Sequence, residues 1–324
     1  MRTWRRWLGA FVLAALVAGA AHAETYPDRP VRIIVPFPPG GAAYVAPALL
    51  AKHLSEAMGQ NFVVEPKPGG NTIIGAQAAA QAKPDGYTLL AATSSTMAAN
   101  PHLYVGKLPY DPDRSFVPIG EVSHFPFFLC VAAGSPAHTV AEFVALAKAS
   151  PGKLTYATNG SGTLGHVAIV MLMRAAGIEL LHIPYKSYVQ ALPDLLSGQI
   201  AVMMCDLSVT GARIQSGELR PLAVTVRERS RFLPDVPTMM EAGFPAVEAE
   251  VWSGLFAPAG TPPAIVAALS AQMRRYLETP KAAEEFRAIG QEPAWSTPEA
   301  LHALIGRDSA RYGEIIRTAH IQVE

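Results

Sequence analysis

The sequence predicts an exported α/β protein of two domains joined by two crossing segments. Three observations carry that expectation. The chain opens with a secretory leader. Strand-like and helix-like runs then alternate through two successive blocks. The last block is mostly helical and brings no further sheet for its helices to cover.

The leader runs from Met1 to Ala23. Arg2, Arg5 and Arg6 form a positive start, Leu8 to Ala18 is an apolar run short for a bilayer, and Ala21-His22-Ala23 is a small-x-small cleavage site. These features fit a signal removed after Ala23 better than a membrane anchor. No cysteine stands near the site to carry a lipid. Arg5-Arg6 raises a twin-arginine route, although the flanking residues fit that pattern poorly. No later apolar stretch is long enough to span a membrane. The mature chain of about 300 residues has the length of about two domains.

Half of the 324 residues are apolar, ample for a large core. Losing the three leader arginines leaves 23 bases against 26 acids, a formal charge of −3. No basic cluster suggests a nucleic-acid surface. Cys130 and Cys205 both lie in apolar, strand-like runs. Their pairing is not deducible from spacing; two buried free thiols are preferred to a disulfide, because a core of this size needs no staple.

In the first block, Val31–Phe37 reads as a strand ending in Pro38-Pro39-Gly40-Gly41. A helix over 45–58 stops at Gly59, and Phe62–Glu65 is a short strand. A helix over 75–82 closes at Pro84-Asp85-Gly86, and a strand covers 87–93. This βαβαβ order predicts a parallel sheet. The second block starts near Val117. Strands are expected over 125–133, 154–158, 180–184, 200–205 and 219–225, with helices over 140–149 (capped by Thr139), 166–176 and 189–196. The last block has a strand over 252–257 and helices over 262–277, 280–289 and 298–319. Their apolar stripes must bury against something, most economically the first domain. The resulting division is leader 1–23, a discontinuous first domain 24–120 plus 250–324, and a second domain 121–249. The crossings fall near 118–128 and 244–253.

Two Gly-rich turns each follow a strand and open a helix: Pro36 to Ala43, and Asn159-Gly160-Ser161-Gly162-Thr163-Leu164-Gly165-His166. Such turns sit at the carboxyl ends of sheet strands, where ligands bind. A helix N-terminus offers unpaired N–H groups and partial positive charge to a carboxylate. Ser161 and Thr163 add hydroxyl donors. A polar turn, Thr93-Ser94-Ser95-Thr96, also follows a strand. Asp206, after the strand over 200–205, is a further candidate. One such turn alone is ordinary connection chemistry; two facing one interdomain cleft point to a ligand.

Competing chemistries fit less well. Gly160, Gly162 and Gly165 match G-x-G-x-x-G, but the next strand ends at Pro184-Tyr185-Lys186 without the ribose-binding acid. Ser161 lacks the G-x-S-x-G spacing of a nucleophile, and His166 in a first helical turn reads as a capping or packing residue. His182, between Leu181 and Ile183, reads as a satisfied core or edge residue. Nothing has metal-ligand spacing. Neither a catalytic residue nor a cofactor is expected, and the chain does not read as an enzyme.

Several segments together resemble a known family. They are Tyr26-Pro27-Asp28-Arg29-Pro30-Val31 through Gly41, Lys83-Pro84-Asp85-Gly86-Tyr87, Asn100-Pro101-His102, Gly160-Ser161-Gly162-Thr163, His182-Ile183-Pro184-Tyr185-Lys186, Leu233-Pro234-Asp235-Val236-Pro237-Thr238 and Ala257-Pro258-Ala259-Gly260-Thr261-Pro262. The set resembles the Bug-type solute-binding proteins of tripartite tricarboxylate transporters. The resemblance implies a type II-like Venus-flytrap fold in the periplasm. It also implies a small carboxylate held largely by backbone groups and waters; a di- or tricarboxylate or an aromatic acid is expected. The residues implicated are Phe37, Pro39, Gly40 and Gly41 on one side and Gly160, Ser161, Gly162, Thr163 and His166 on the other. Ser94 and Ser95 would line the cleft between. A large and a small membrane subunit are the implied partners of a monomeric protein. A ligand-sensing accessory of a membrane sensor is the alternative use of such a fold.

The sequence departs from the family pattern after Gly41. The usual Asp, Ala and Arg are Tyr44, Pro47 and Ala48 here; the usual Gly after Tyr-Lys is Ser187, and an expected Asp is Ala201. Asp and Arg at i and i+4 pair on a helix, so their joint loss suggests that they were partners. Pro47 is tolerable only in a first turn, which predicts a helix starting near Tyr44. Tyr44 either faces the cleft and favours a bulkier acid, or packs on its rim.

Overall fold

The computed structural model describes residues 26–318 and 321; the expected leader lies outside them. The first block is β1 (Val31–Val35), α1 (Ala42–Met58), β2 (Phe62–Pro66), α2 (Ile73–Ala80) and β3 (Thr88–Thr93). A π-helical turn, Ser95–Ala99, then runs into the short α3 (Asn100–Leu103) before the long β4 (Phe116–Pro126). The second block is β5 (Phe128–Ala132), α4 (Val140–Ala149), β6 (Thr155–Thr158), α5 (Leu164–Ala176), β7 (Leu181–Pro184), α6 (Tyr188–Leu196), β8 (Val202–Cys205), α7 (Leu207–Gln215) and β9 (Leu219–Val224). The chain finishes with β10 (Glu250–Pro258), α8 (Pro263–Leu277), α9 (Pro280–Ala288), β11 (Glu292–Pro293) and α10 (Pro298–Thr318).

These strands make two sheets, ordered β11-β4-β10-β3-β1-β2 and β7-β6-β8-β5-β9. Both are mixed, not parallel. In the first, β1 pairs in parallel with β2 and β3, whereas β10 runs antiparallel to β3 and β4. In the second, β6 is parallel to β7 and β8, and β5 is antiparallel to β8 and β9. The antiparallel members include the strands that enter and leave each lobe, which must reverse direction to cross. Apart from the exposed Arg32, β1 and β3 are buried on both faces, as continuous apolar runs such as Ile33-Ile34-Val35 and Leu89-Leu90-Ala91 demand.

Local chemistry sets the helix ends. Thr139 and Glu142 form a reciprocal capping box on α4, Thr279 caps α9, and Gly59 ends α1 in the left-handed conformation. α1 starts at Ala42, earlier than the expected Tyr44, so Pro47 lies past the first turn and is buried. Its missing N–H deprives the Ala43 carbonyl of its helical donor. The polar run Thr93–Thr96 is not a turn: it leads directly into the π-helical segment. Apolar Met97, Ala98 and Ala99 are fully buried there, and burial outweighs the local preference of Ser and Thr for turns. α7 was not anticipated, because its apolar residues are few and broken by Gly211.

One core lies between the first sheet, α1 and α8, with Leu50, Leu54, Leu269 and Met273 at its centre. On the sheet's other face, Leu301 and Ile305 of α10 pack with Phe256 and Met97. The far end of α10, Tyr312 and Ile316, joins the core of the second lobe. Cys130 and Cys205 are buried free thiols on neighbouring strands β5 and β8.

Candidate functional site: a cleft between two helix N-termini

The crossings are stitched together by Thr225. Its backbone N–H donates to Phe127 O at 2.9 Å, its hydroxyl donates to Ala249 O, and its Oγ1 accepts from Phe127 N–H at 3.1 Å. Beside it, Ser123 Oγ donates to Gln291 Oε1 at 2.7 Å, and Gln291 Nε2 donates to Ala42 O at the start of α1 at 2.8 Å. Through Gln291, the crossing strand β4 is tied to a cleft-facing helix end.

Between the lobes is a narrow cleft with a cavity volume of about 50 Å³. Its floor carries Phe125, Phe127 and Val251 from the crossings. The first lobe contributes Phe37, Gly41, Ala42 and Ala43 from the first Gly-rich turn, with Thr93 and Ser95. The second contributes Asn159, Thr163, Leu164 and Gly165, then Lys186, Ser187 and Tyr188, and Asp206. Helices α1 and α5 both begin here, at Gly41 and Thr163, and neither has a side-chain cap. Two sets of first-turn N–H groups thus address one space. The lobes lie close together: Leu164 N–H donates to Ser95 Oγ at 3.0 Å across the cleft.

The second Gly-rich turn is locked from behind. Gly160 (φ 131°) and Gly162 (φ 83°) hold backbone conformations that side chains disfavour. Gly162 N–H donates to His166 Nδ1 at 2.9 Å, and His166 Nε2 lies 3.1 Å from Tyr156 Oη. The His166 ring stacks on His182 at 4.3 Å, and His182 stacks on Tyr156 at 4.8 Å. Burial, and then the neighbouring His182, push the His166 pKa down to about 4, so the ring is neutral near pH 7.

The π-helical turn is fixed by a buried polar network. Tyr110 Oη donates to Thr96 O at 2.7 Å, Thr96 Oγ1 donates to Thr72 Oγ1 at 2.9 Å, and Asn100 Nδ2 reaches Asn71 O at 2.8 Å. This network presents Ser95 to the cleft. Several buried polar atoms around the same space lack partners among the described residues: Thr93 Oγ1, Ser94 Oγ, Asn159 Oδ1 and Tyr188 Oη. An aromatic wall flanks them, with Phe127 edge-on to Phe125 and to Tyr188, both at 6.2 Å.

Of the residues expected from sequence, Phe37, Gly41, Ser95, Thr163 and Asp206 line the cleft. Pro39, Gly40, Ser94, Gly160, Ser161, Gly162 and His166 are not among its lining residues; they shape or back the turns. Tyr44 packs against the first-lobe core, because α1 begins early and carries position 44 away from the cleft. Asn159 opens the second of the turns singled out in the sequence, whereas Phe125, Phe127, Lys186 and Tyr188 lie outside those turns. Their signal lay in the hinge and in the second-lobe sheet order, which spacing alone does not reveal. Among the described residues no cluster of His, Cys, Asp or Glu could hold a metal, and no helix is long and apolar enough to cross a membrane.

Two mixed sheets, two crossings and a polar cleft at paired helix N-termini define a periplasmic-binding-protein fold, the architecture of solute-binding proteins. Residues 48–321 match the family of tripartite tricarboxylate transporter receptors, and the chain belongs to that family. It is 34% identical to Protein BugT of Bordetella pertussis over 310 residues, spanning 96% of this chain and 95% of that one. The R. palustris protein Rpa4515, solved with adipate, superposes with a TM-score of 0.89 at 32% identity, covering 92% of this chain and all of the other. MatC of Rhodopseudomonas palustris, solved with bound malate, gives 0.83 at 28% identity over 90% of this chain and all of that one.

Proposed function

We propose that the chain captures a small carboxylate outside the cytoplasm and presents it to the membrane subunits of a tripartite transporter. The observation that carries this reading is the convergence of two uncapped helix N-termini on one cleft whose buried polar groups lack partners. Each helix start supplies N–H donors and partial positive charge, so an anion bound between them gains from both. The adipate and malate complexes of its relatives support the ligand class. The lobes 24–120 plus 250–324 and 121–249 would part around the Thr225 hinge, admit the acid and close over it. Excluding water on closure strengthens every hydrogen bond to the carboxylate. The closed surface is what the transporter subunits would recognise, as a monomer in the periplasm after removal of the leader.

A thermal-shift screen of Glu24–Glu324 against mono-, di- and tricarboxylates and aromatic acids tests this. An acid at about a hundred times its Kd should add roughly 2.7 kcal/mol to stability. If no acid shifts the refolded protein while neutral solutes do, the carboxylate reading is wrong.

A further inference from the structure

One end of the cleft is built for more than a carboxylate. Asp206 is 3% exposed and lines the cleft, with its Oδ1 occupied in capping α7 through Val209 N–H at 3.2 Å. Tyr188, 4% exposed, lines the same region, and its hydroxyl has no partner among the described residues. The two groups line one cleft from adjoining helix starts: Tyr188 opens α6, Asp206 caps α7, and these two helices pack together. The Tyr188 hydroxyl lies against the first turn of α5. A Cβ placed on Gly165 would fall 1.9 Å from it. The phenol O–H therefore sits next to the amide groups that would hold a carboxylate.

Resting on the carboxylate reading above, we propose that the cleft selects 2-hydroxy acids, the ligand hydroxyl accepting from Tyr188 and donating to Asp206. Position sets the 2-hydroxyl: Tyr188 abuts the helix start, so its partner is on the carbon next to the carboxylate. Chemistry sets a hydroxyl over the alternatives. A second carboxylate beside Asp206 would place like charges together, and Lys186, the one cation lining the cleft among the described residues, is exposed. An ammonium group would satisfy Asp206 but leave the Tyr188 O–H without an acceptor. A hydroxyl serves both, because it accepts one hydrogen bond and donates another. The rest of the ligand would lie on Phe37, Phe125, Phe127 and Val251, which favours an apolar body.

Calorimetric titration of the mature protein with lactate and propionate, mandelate and phenylacetate, and malate and succinate tests the inference. Within each pair the hydroxy acid should bind at least about ten-fold more tightly, since a site built around a hydroxyl rejects the analogue without it. Tyr188→Phe and Asp206→Asn should each bring the ratio to within about three-fold. Phe keeps the ring, and Asn keeps the helix cap, so both variants should unfold near the wild-type temperature. Acids that bind with equal affinity in every pair would overturn the inference and leave the carboxylate reading standing. So would tighter binding of alanine and phenylglycine than of lactate and mandelate, or an unchanged ratio in both variants. Failure of every acid to bind would remove the parent reading and this one together.

Discussion

Gly165 has no room for a side chain because the Tyr188 hydroxyl fills the space beside it. Gly165→Ala should therefore destabilise the fold by about 1–3 kcal/mol through overpacking. Much of that loss should return in the double variant with Tyr188→Phe, which removes the clashing oxygen. A double-mutant cycle of urea midpoints measures the coupling. The glycine was legible in the sequence as part of a helix-opening turn, but its steric partner was not. Tyr188 comes from a different helix, and only the packing of α6 against α5 brings the two together. Tyr44 teaches the same point in reverse: its departure from the family pattern was plain in the sequence, whereas its distance from the cleft depends on where α1 begins.

Among the elements, α1 carries a proline past its first turn. Pro47→Ala restores an N–H for the Ala43 carbonyl and should stabilise the protein by about 1–2 kcal/mol, less than the full helical penalty because some ring packing is lost. Differential scanning calorimetry would show a higher Tm. The Gly160–His166 turn predicts an acid sensitivity. His166 is held neutral in the folded state, with its pKa at about 4, and an unfolded histidine titrates near 6.5. Between those values the unfolded chain binds more protons, so stability falls as pH drops from about 6.5 towards 4. The loss is on the order of 2–3 kcal/mol. Urea midpoints across that range should fall less steeply in His166→Asn, which still offers an acceptor to Gly162 N–H. The strand–turn–helix order around this loop was readable from glycines and apolar runs. The histidine stack was not, because His182 lies on another strand and nothing in spacing relates it to His166.

At the scale of the molecule, three links set the relation of the lobes. The hinge is held by Thr225, whose hydroxyl serves both crossings. Thr225→Val keeps the shape and removes these bonds, and should cost about 1–3 kcal/mol in a denaturant titration by leaving buried polar groups unpaired. Across the cleft, Ser95 accepts from Leu164 N–H at the start of α5. Ser95→Ala should shift the acid-free protein towards an open form, visible as a larger radius of gyration in small-angle scattering. α10 adds a third link, since its first half packs on the first sheet and its end enters the second core.

Composition and pattern by themselves determined the alternation of strands and helices and the two helix-opening turns. Those features are local: periodicity, glycines with special dihedrals and capping residues act over a few positions. The tertiary structure alone decided that the sheets are mixed, that Thr93–Thr96 starts a π-helical segment, and that Asp206 and Tyr188 line one cleft at the N-terminus of α5. Each of these depends on chain segments remote in sequence being packed together, where burial and unpaired polar groups outweigh local preference.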